Sequence, residues 1–152
     1  MKIFIFICCL LATLQIPIHS QWSEIPIGTS DDLFDLYFIS SNTGWVVGSN
    51  GTILKTSNGG STWSYQQSNL NTNLSSVYFI DSLNGWVCGL YGEILKTTNS
   101  GENWIQKPSG VTENINQIFF ISQSEGFAVT SDWYNGYPYS GRILKTTDGG
   151  ET

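Results

Sequence analysis

The stretch richest in chemically useful side chains is Ser131–Ser140, which carries Trp133, Tyr134, Tyr137 and Tyr139 within ten residues. Aromatic rings with a polar handle at irregular spacing suit stacking on a sugar or anchoring a protein surface. The same rings could instead fold down as a local cap, and the sequence leaves both open. A second set is the corner Thr-x-Asx-x-Gly: Thr56, Asn58 and Gly60 before Trp63; Thr97, Asn99 and Gly101 before Trp104; then Thr146, Asp148 and Gly150. A short Asx side chain accepts hydrogen bonds from backbone N–H groups a few residues on, so it pins a turn. Glycine supplies a backbone geometry that other residues resist, and tryptophan offers a large apolar face to pack between sheets. This chemistry is structural. Lys55, Lys96 and Lys145 make a third set, in identical register. They read either as a basic recognition stripe or, more simply, as solvated strand positions that discourage edge pairing.

Catalytic constellations are scarce. His19 is the only histidine and Arg142 the only arginine, and the cysteines are Cys8, Cys9 and Cys88. Ser/His/Asp and Cys/His nucleophile systems therefore have no base. Transition-metal ligation lacks donors, and no Gly-rich phosphate loop opens a helix. Asp31, Asp32 and Asp35 could be imagined around calcium, but a solvated turn leading into a strand explains them. No catalytic, cofactor-binding or metal residue is assigned, and no cofactor is expected.

Met1–Ser20 has a minimal positive start, an apolar run over Ile3–Leu14 and a more polar end in a small residue. It reads as a secretory signal peptide cut near Ser20–Gln21, since the apolar run falls short of the roughly 20 residues that span a bilayer. Neither Cys8 nor Cys9 follows the small residue of a lipoprotein site, so no lipid anchor is expected. After cleavage only Cys88 remains, in the slot held by Val47 in the first repeat, and it reads as a buried structural thiol. The full chain has formal charge −6; without Lys2 it becomes −7, from 5 basic and 12 acidic side chains. That balance argues against nucleic acid or an anionic membrane as partner.

The elements that must carry these residues follow from a repeat. Trp22, Trp63 and Trp104 stand 41 residues apart, as do Leu36–Ile39, Val77–Ile80 and Ile118–Ile121, and the pairs Gly44-Trp45, Gly85-Trp86 and Gly126-Phe127. With 16 Gly and abundant aromatic and β-branched residues, each unit reads as four short strands. The first strands are expected at 35–40, 76–81 and 117–122, and the second at 44–49, 85–89 and 126–130. The third are expected at 52–57, 93–98 and 142–147, and the fourth at 22–26, 63–67 and 104–107. The Thr-Gly and Asn-Gly pairs before the second strands look like hairpin-turn chemistry. In the third unit the interval between Gly126 and Gly141 is eight residues longer than its counterparts, and that insertion, 131–140, reads as an irregular loop.

Self-similarity at this period is the mark of propeller blades. The fold class is all-β: a partial β-propeller of about three four-stranded antiparallel blades, in units of about 22–62, 63–103 and 104–152. Three units fall short of a closed ring, so the chain reads as part of a longer protein. The leading strand at Trp22 would complete a last blade in a closed circle. Propeller geometry puts the intervals 27–34, 68–75, 108–116 and 131–140 on one face, where loops vary without disturbing the blades.

The Thr-x-Asx-x-Gly-x-x-Trp corners match the Asp-box, or bacterial neuraminidase repeat. The fuller pattern Phe-Ile…Gly-Trp-x-x-Gly…Gly-x-Ile-Leu-Lys-Thr-x-Asn/Asp-x-Gly-x-x-Trp resembles the photosystem II stability/assembly factor-like β-propeller family over essentially all of 21–152. The resemblance implies a seven-bladed propeller in the full family and a non-catalytic scaffold for protein–protein binding. Its assembly-factor members use basic patches, whereas this chain is acidic with one Arg. Asp boxes also raise a sialidase-like glycoside hydrolase, which would need three Arg on the substrate carboxylate. The expectation is a secreted binding scaffold, extracellular, surface-bound or periplasmic, with a protein partner, a glycan possible, and no membrane insertion. A sialidase-like fragment or a surface adhesin module is the alternative.

Overall fold

The computed structural model describes residues 22–134 and 137–152, and for 132–134 and 137–140 only the course of the backbone. The leader read at 1–20 lies outside the described residues. The repeat becomes three antiparallel sheets. The first is β1 (Leu33–Phe38), β2 (Gly44–Gly48), β3 (Ile53–Thr56) and β4 (Ser64–Gln66), paired in that order. The second is β5 (Leu74–Phe79), β6 (Gly85–Gly89), β7 (Ile94–Thr97) and β8 (Ile105–Lys107). The third contains β9 (Asn114–Phe120), β10 (Gly126–Tyr134) and β11 (Tyr137–Thr146), in the order β11-β10-β9. These are blades of a partial β-propeller. By hydrogen bonding, the strand after each box tryptophan joins the unit before it, so the first two sheets span 33–66 and 74–107.

Two stretches differ from the sequence reading. Residues 22–26 form no strand, and Trp22 is 92% exposed rather than wedged between sheets. One repeat contact is kept beside it: the Ile25 side chain lies over Gly60 as the Gln66 side chain, one repeat on, lies over Gly101. The insertion is no irregular loop. β10 and β11 continue as one hairpin through Asp132↔Ser140, Trp133↔Pro138 and Tyr134↔Tyr137, with a bulge beside Asp132. The strands lengthen because alternate residues keep finding a backbone partner across the hairpin.

The core lies between sheets. One cluster joins Trp45, Val47 and Ile53 of the first sheet to Leu74, Val77, Phe79 and Trp104 of the second. A second joins Trp86, Cys88 and Ile94 to Ile115, Ile118 and Phe120 of the third. Trp45 stacks on Phe79 with centroids 3.5 Å apart, and Trp86 on Phe120 at 3.6 Å. Strand β5 is covered on both sides, which is why an apolar run rather than strict alternation specifies it. Of the box tryptophans, Trp104 is wedged between sheets, and Trp63 lies edge-on to Phe38 on the outer side of the first.

The glycine of each Gly-Trp pair also has a different reason from the one expected. Gly85 is the first residue of β6, paired with Phe79, and a Cβ there would meet the Phe79 ring at 2.5 Å. It makes room for a ring laid flat on the backbone, not for a turn. The turn before it is held by Asp81, whose Oδ1 accepts from Leu83 N and Asn84 N at 2.8 Å each.

Of the lysines in register, Lys145 is exposed, as a solvated strand position should be, and pairs with Glu125, whereas Lys55 and Lys96 are drawn into the next blade. Lys55 Nζ sits 5.4 Å from the Trp45 ring and donates to Ser100 O, at 3.0 Å, in the next unit's box. Lys96 lies over Trp86 and donates to Gly149 O at 3.1 Å, with an ion pair to Glu151. Each therefore clamps one blade to the next. Burial, partly opposed by the Glu102 charge, pulls the Lys55 ammonium below its usual pKa.

Candidate binding face

The box residues come together as local clamps. Thr56 Oγ1 accepts from Gly60 N at 2.9 Å and donates to Asn58 Oδ1 at 3.0 Å, and Asn58 Oδ1 accepts from Thr62 N at 2.9 Å. Thr97, Asn99 and Gly101 repeat this, with Gly101 N donating to Thr97 Oγ1 at 2.9 Å and Asn103 N to Asn99 Oδ1 at 3.0 Å. In the third box Gly150 N donates to Thr146 Oγ1 at 2.9 Å, and Asp148 takes Thr152 N at 3.1 Å. The Thr152 and Thr146 hydroxyls and the backbone donors hold the Asp148 carboxyl far below the usual carboxylate range. The Thr and Asx side-chain acceptors of each box are thus spent on their own turn.

The two ends of the blades are distinct. Box turns meet the loops between first and second strands, through Gly59 N to Asn42 O, Ser100 N to Leu83 O and Gly149 N to Ser124 O. At the opposite end, the loops between second and third strands meet those entering the first strands, through Ser49 N to Asp32 O, Gly51 N to Thr72 O and Leu90 N to Asn73 O. This second end is the face to which the sequence assigned ligands, and the β10–β11 hairpin rises from it.

Two clefts open on this face, and they are repeat equivalents. The first, about 400 Å3, is lined by Asn50, Thr52, Tyr65, Gln66 and Asn71, with Asp31 at its side. The second, about 460 Å3, has Tyr91, Glu93, Gln106, Lys107 and Thr112 at the matching positions, each 41 residues later. One-turn 3-10 segments at Ser49–Gly51 and Leu90–Gly92 form one wall of each, with Asn50 and Tyr91 in the left-handed region at φ 56 and 59. Gly92 is required there, because a Cβ would strike Val111 O at 2.0 Å.

Their chemistry differs. In the first cleft Asp31 accepts from the Thr52 hydroxyl, from Asn50 Nδ2 at 2.9 Å and from the Thr29 hydroxyl. The Thr52 hydroxyl and then the Asn50 amide hold its carboxyl below the usual range. Asp35 is occupied elsewhere, accepting from Ser76 Oγ and Val77 N at 2.9 Å each, so Asp31, Asp32 and Asp35 do not converge. Among the described residues no group of three or more His, Cys, Asp or Glu could hold a metal ion. The second cleft carries the only arginine, with Arg142 Nη2 2.6 Å from Glu113 Oε1. It lies at the foot of the hairpin, because Arg142 belongs to β11. The backbone places Trp133, Tyr134, Tyr137 and Tyr139 on the outer part of that hairpin. The sequence reading missed both clefts, which no motif marks. The loops alternate with the strands at the repeat period, and that period was their only signal.

A sequence family described as photosynthesis system II assembly factor YCF48 matches residues 14–106. The chain belongs to this family. It is 42% identical over 55 residues to the photosystem II assembly lipoprotein Ycf48 of Prochlorococcus marinus, covering 35% of this chain and 16% of that relative. The solved structure of YCF48 bound to D1 peptide superposes with a TM-score of 0.75 at 27% identity, over 88% of this chain and 43% of that one. YCF48 from Cyanidioschyzon merolae gives a TM-score of 0.72 at 29% identity, over 86% of this chain and 41% of that one. The chain therefore spans less than half the length of these proteins. Among the described residues no helix is long and apolar enough to cross a membrane.

Cys88 is buried in the core between the second and third sheets, as its slot equivalent to that of Val47 implied. Burial pushes its thiol up to about 12, against the Ser75 hydrogen bond. It is a packing residue, well removed from thiolate chemistry.

Proposed function

We propose that this chain is a non-catalytic binding module, part of a YCF48-like propeller, that holds an extended segment of a protein partner on its loop face. The observation that carries this is the recurrence of one cleft at consecutive blades, beside a projecting hairpin with four aromatic residues. Clefts in register offer successive subsites along a peptide, and tyrosine and tryptophan are the residues that most often anchor such contacts. The solved relative bound to a D1 peptide supports a peptide as the occupant. The leader at 1–20 would export the chain, so that the module works outside the compartment of synthesis. A catalytic reading finds no support in the clefts, where the single Arg is paired to Glu113 and Asp31 is satisfied by its own loop.

The test is fluorescence anisotropy with a labelled D1 peptide. The wild-type chain should bind it, and Trp133→Ala with Tyr137→Ala should weaken binding at least about tenfold. A Lys145→Ala control, in β11 but below the hairpin, should bind as the wild type does. No binding by the wild-type chain, or equal binding by the double variant, refutes the proposal.

A further inference from the structure

The first strands of consecutive sheets lie against one another and carry one aromatic ladder: Tyr37 of β1, Tyr78 of β5 and Phe119 of β9, spaced 41 residues apart. The Tyr37 and Tyr78 rings have centroids 5.1 Å apart with their planes inclined at 55°, and Tyr78 meets Phe119 at 4.8 Å and 54°. Burial first, and then the charge and the hydroxyl of Tyr37, raise the Tyr78 phenol above its usual pKa, so the hydroxyl edges of the two rings are the ones that meet. Tyr37 packs on the core shared by the first and second sheets, and Tyr78 on the core shared by the second and third. The pair is thus built wholly within the described sheets.

A tilted ring contact is served as well by phenylalanine, as Phe119 shows. What tyrosine adds is the phenol, which activates the ring carbons ortho to its hydroxyl. We propose that Tyr37 and Tyr78 form an oxidative cross-linking site, at which a haem peroxidase with hydrogen peroxide joins the two rings as a dityrosine. Each phenol gives up one electron and its hydroxyl proton. The two phenoxyl radicals combine, forming one carbon–carbon bond between ring carbons ortho to the hydroxyls, and the hydrogen on each of those carbons then moves to its ring oxygen. The two electrons and two protons released reduce hydrogen peroxide to two waters. Phe119 ends the ladder, because it has no phenol to be oxidised by a Tyr78 radical. Tyr65 and Tyr91 are exposed, and among the described residues neither meets another ring. The bond ties the first sheet to the second across 41 residues, which restricts the unfolded chain more than the folded one.

The test exposes the full chain, dilute, to a haem peroxidase and hydrogen peroxide, followed by trypsin and mass spectrometry. Cleavage after Lys55 and Lys96 puts Tyr37 and Tyr78 on different peptides. These peptides should appear joined, lighter by two hydrogen atoms than their sum, with fragmentation placing the bond at 37 and 78. Tyr37→Phe and Tyr78→Phe should each abolish the joined pair, whereas Tyr65→Phe, on the same peptide as Tyr78, should keep it. Unlabelled chain mixed with chain carrying heavy nitrogen should give no pair of mixed label, since the bond forms within one molecule. An unjoined wild-type chain, a joined pair that survives in Tyr78→Phe, loss of the pair in Tyr65→Phe, or pairs of mixed label would each overturn the proposal.

Discussion

The first two blades contain a matched pair of tryptophans that separates the worth of a buried hydrogen bond from the worth of an aromatic ring. Trp45 and Trp86 are both fully buried, both stacked on a phenylalanine, and both 5.4 Å from a lysine ammonium. Trp86 Nε1 donates to Gly149 O at 3.1 Å, whereas Trp45 Nε1 has no partner. The equivalent carbonyl, Ser100 O, is already taken by Lys55 Nζ at 3.0 Å and Gln66 Nε2 at 3.1 Å. Replacing either tryptophan with phenylalanine removes the same ring atoms, so that loss cancels in the comparison. Trp86→Phe additionally forfeits a hydrogen bond of about 1 kcal/mol, while Trp45→Phe removes a buried donor whose desolvation costs about 1–3 kcal/mol. Trp86→Phe should therefore be the more destabilising by about 2 kcal/mol or more. Urea unfolding followed by far-ultraviolet circular dichroism reads this directly, provided the slopes of the two variants agree. If Trp45→Phe loses as much stability as Trp86→Phe, the orphaned indole is satisfied in solution and the reasoning fails.

Other consequences follow from the packing. Gly85→Ala drives a methyl group into the Phe79 ring, which cannot retreat because it is stacked on Trp45, so urea midpoints should show a loss of about 1–3 kcal/mol. A neutral or stabilised variant would mean that the ring is free to move. Thr97→Val keeps the shape but strips the acceptor from Gly101 N, which is buried, and should cost about 2 kcal/mol in the same assay. Thr146→Val, in the more exposed third box, should cost less. Cys88 should resist Ellman's reagent at pH 8 in the native chain and react at once in denaturant. Its folded pKa is raised, so its contribution to stability is complete below the ordinary thiol pKa and declines as pH rises toward 12. Rapid labelling of the native chain would place Cys88 outside the core.

Much of this molecule was legible because a repeat turns local signals into global ones. The 41-residue spacing located the eleven strands seen among the described residues, most to within two residues, and failed only at 22–26, since apolar runs, Asx–Gly corners and glycines recur in one order. The box clamps were legible for the same reason: Thr97, Asn99 and Gly101 bond within one turn, and nothing distant is needed to position them. Where the outcome depended on a neighbouring blade, the sequence said less. Gly85 looked like a turn residue because the ring of Phe79 lying over it is invisible in one dimension. Lys55 and Lys96 looked solvated because their acceptors, Ser100 O and Gly149 O, lie 45 and 53 residues away. The aromatic insertion looked irregular because its regularity is the pairing of β10 with β11. The sequence alone determined the unit and its corners, whose interactions close within a few residues. Only the tertiary structure decided the clamps, the flat-lying rings and the two clefts, because each needs surfaces that meet only when one blade is laid against the next.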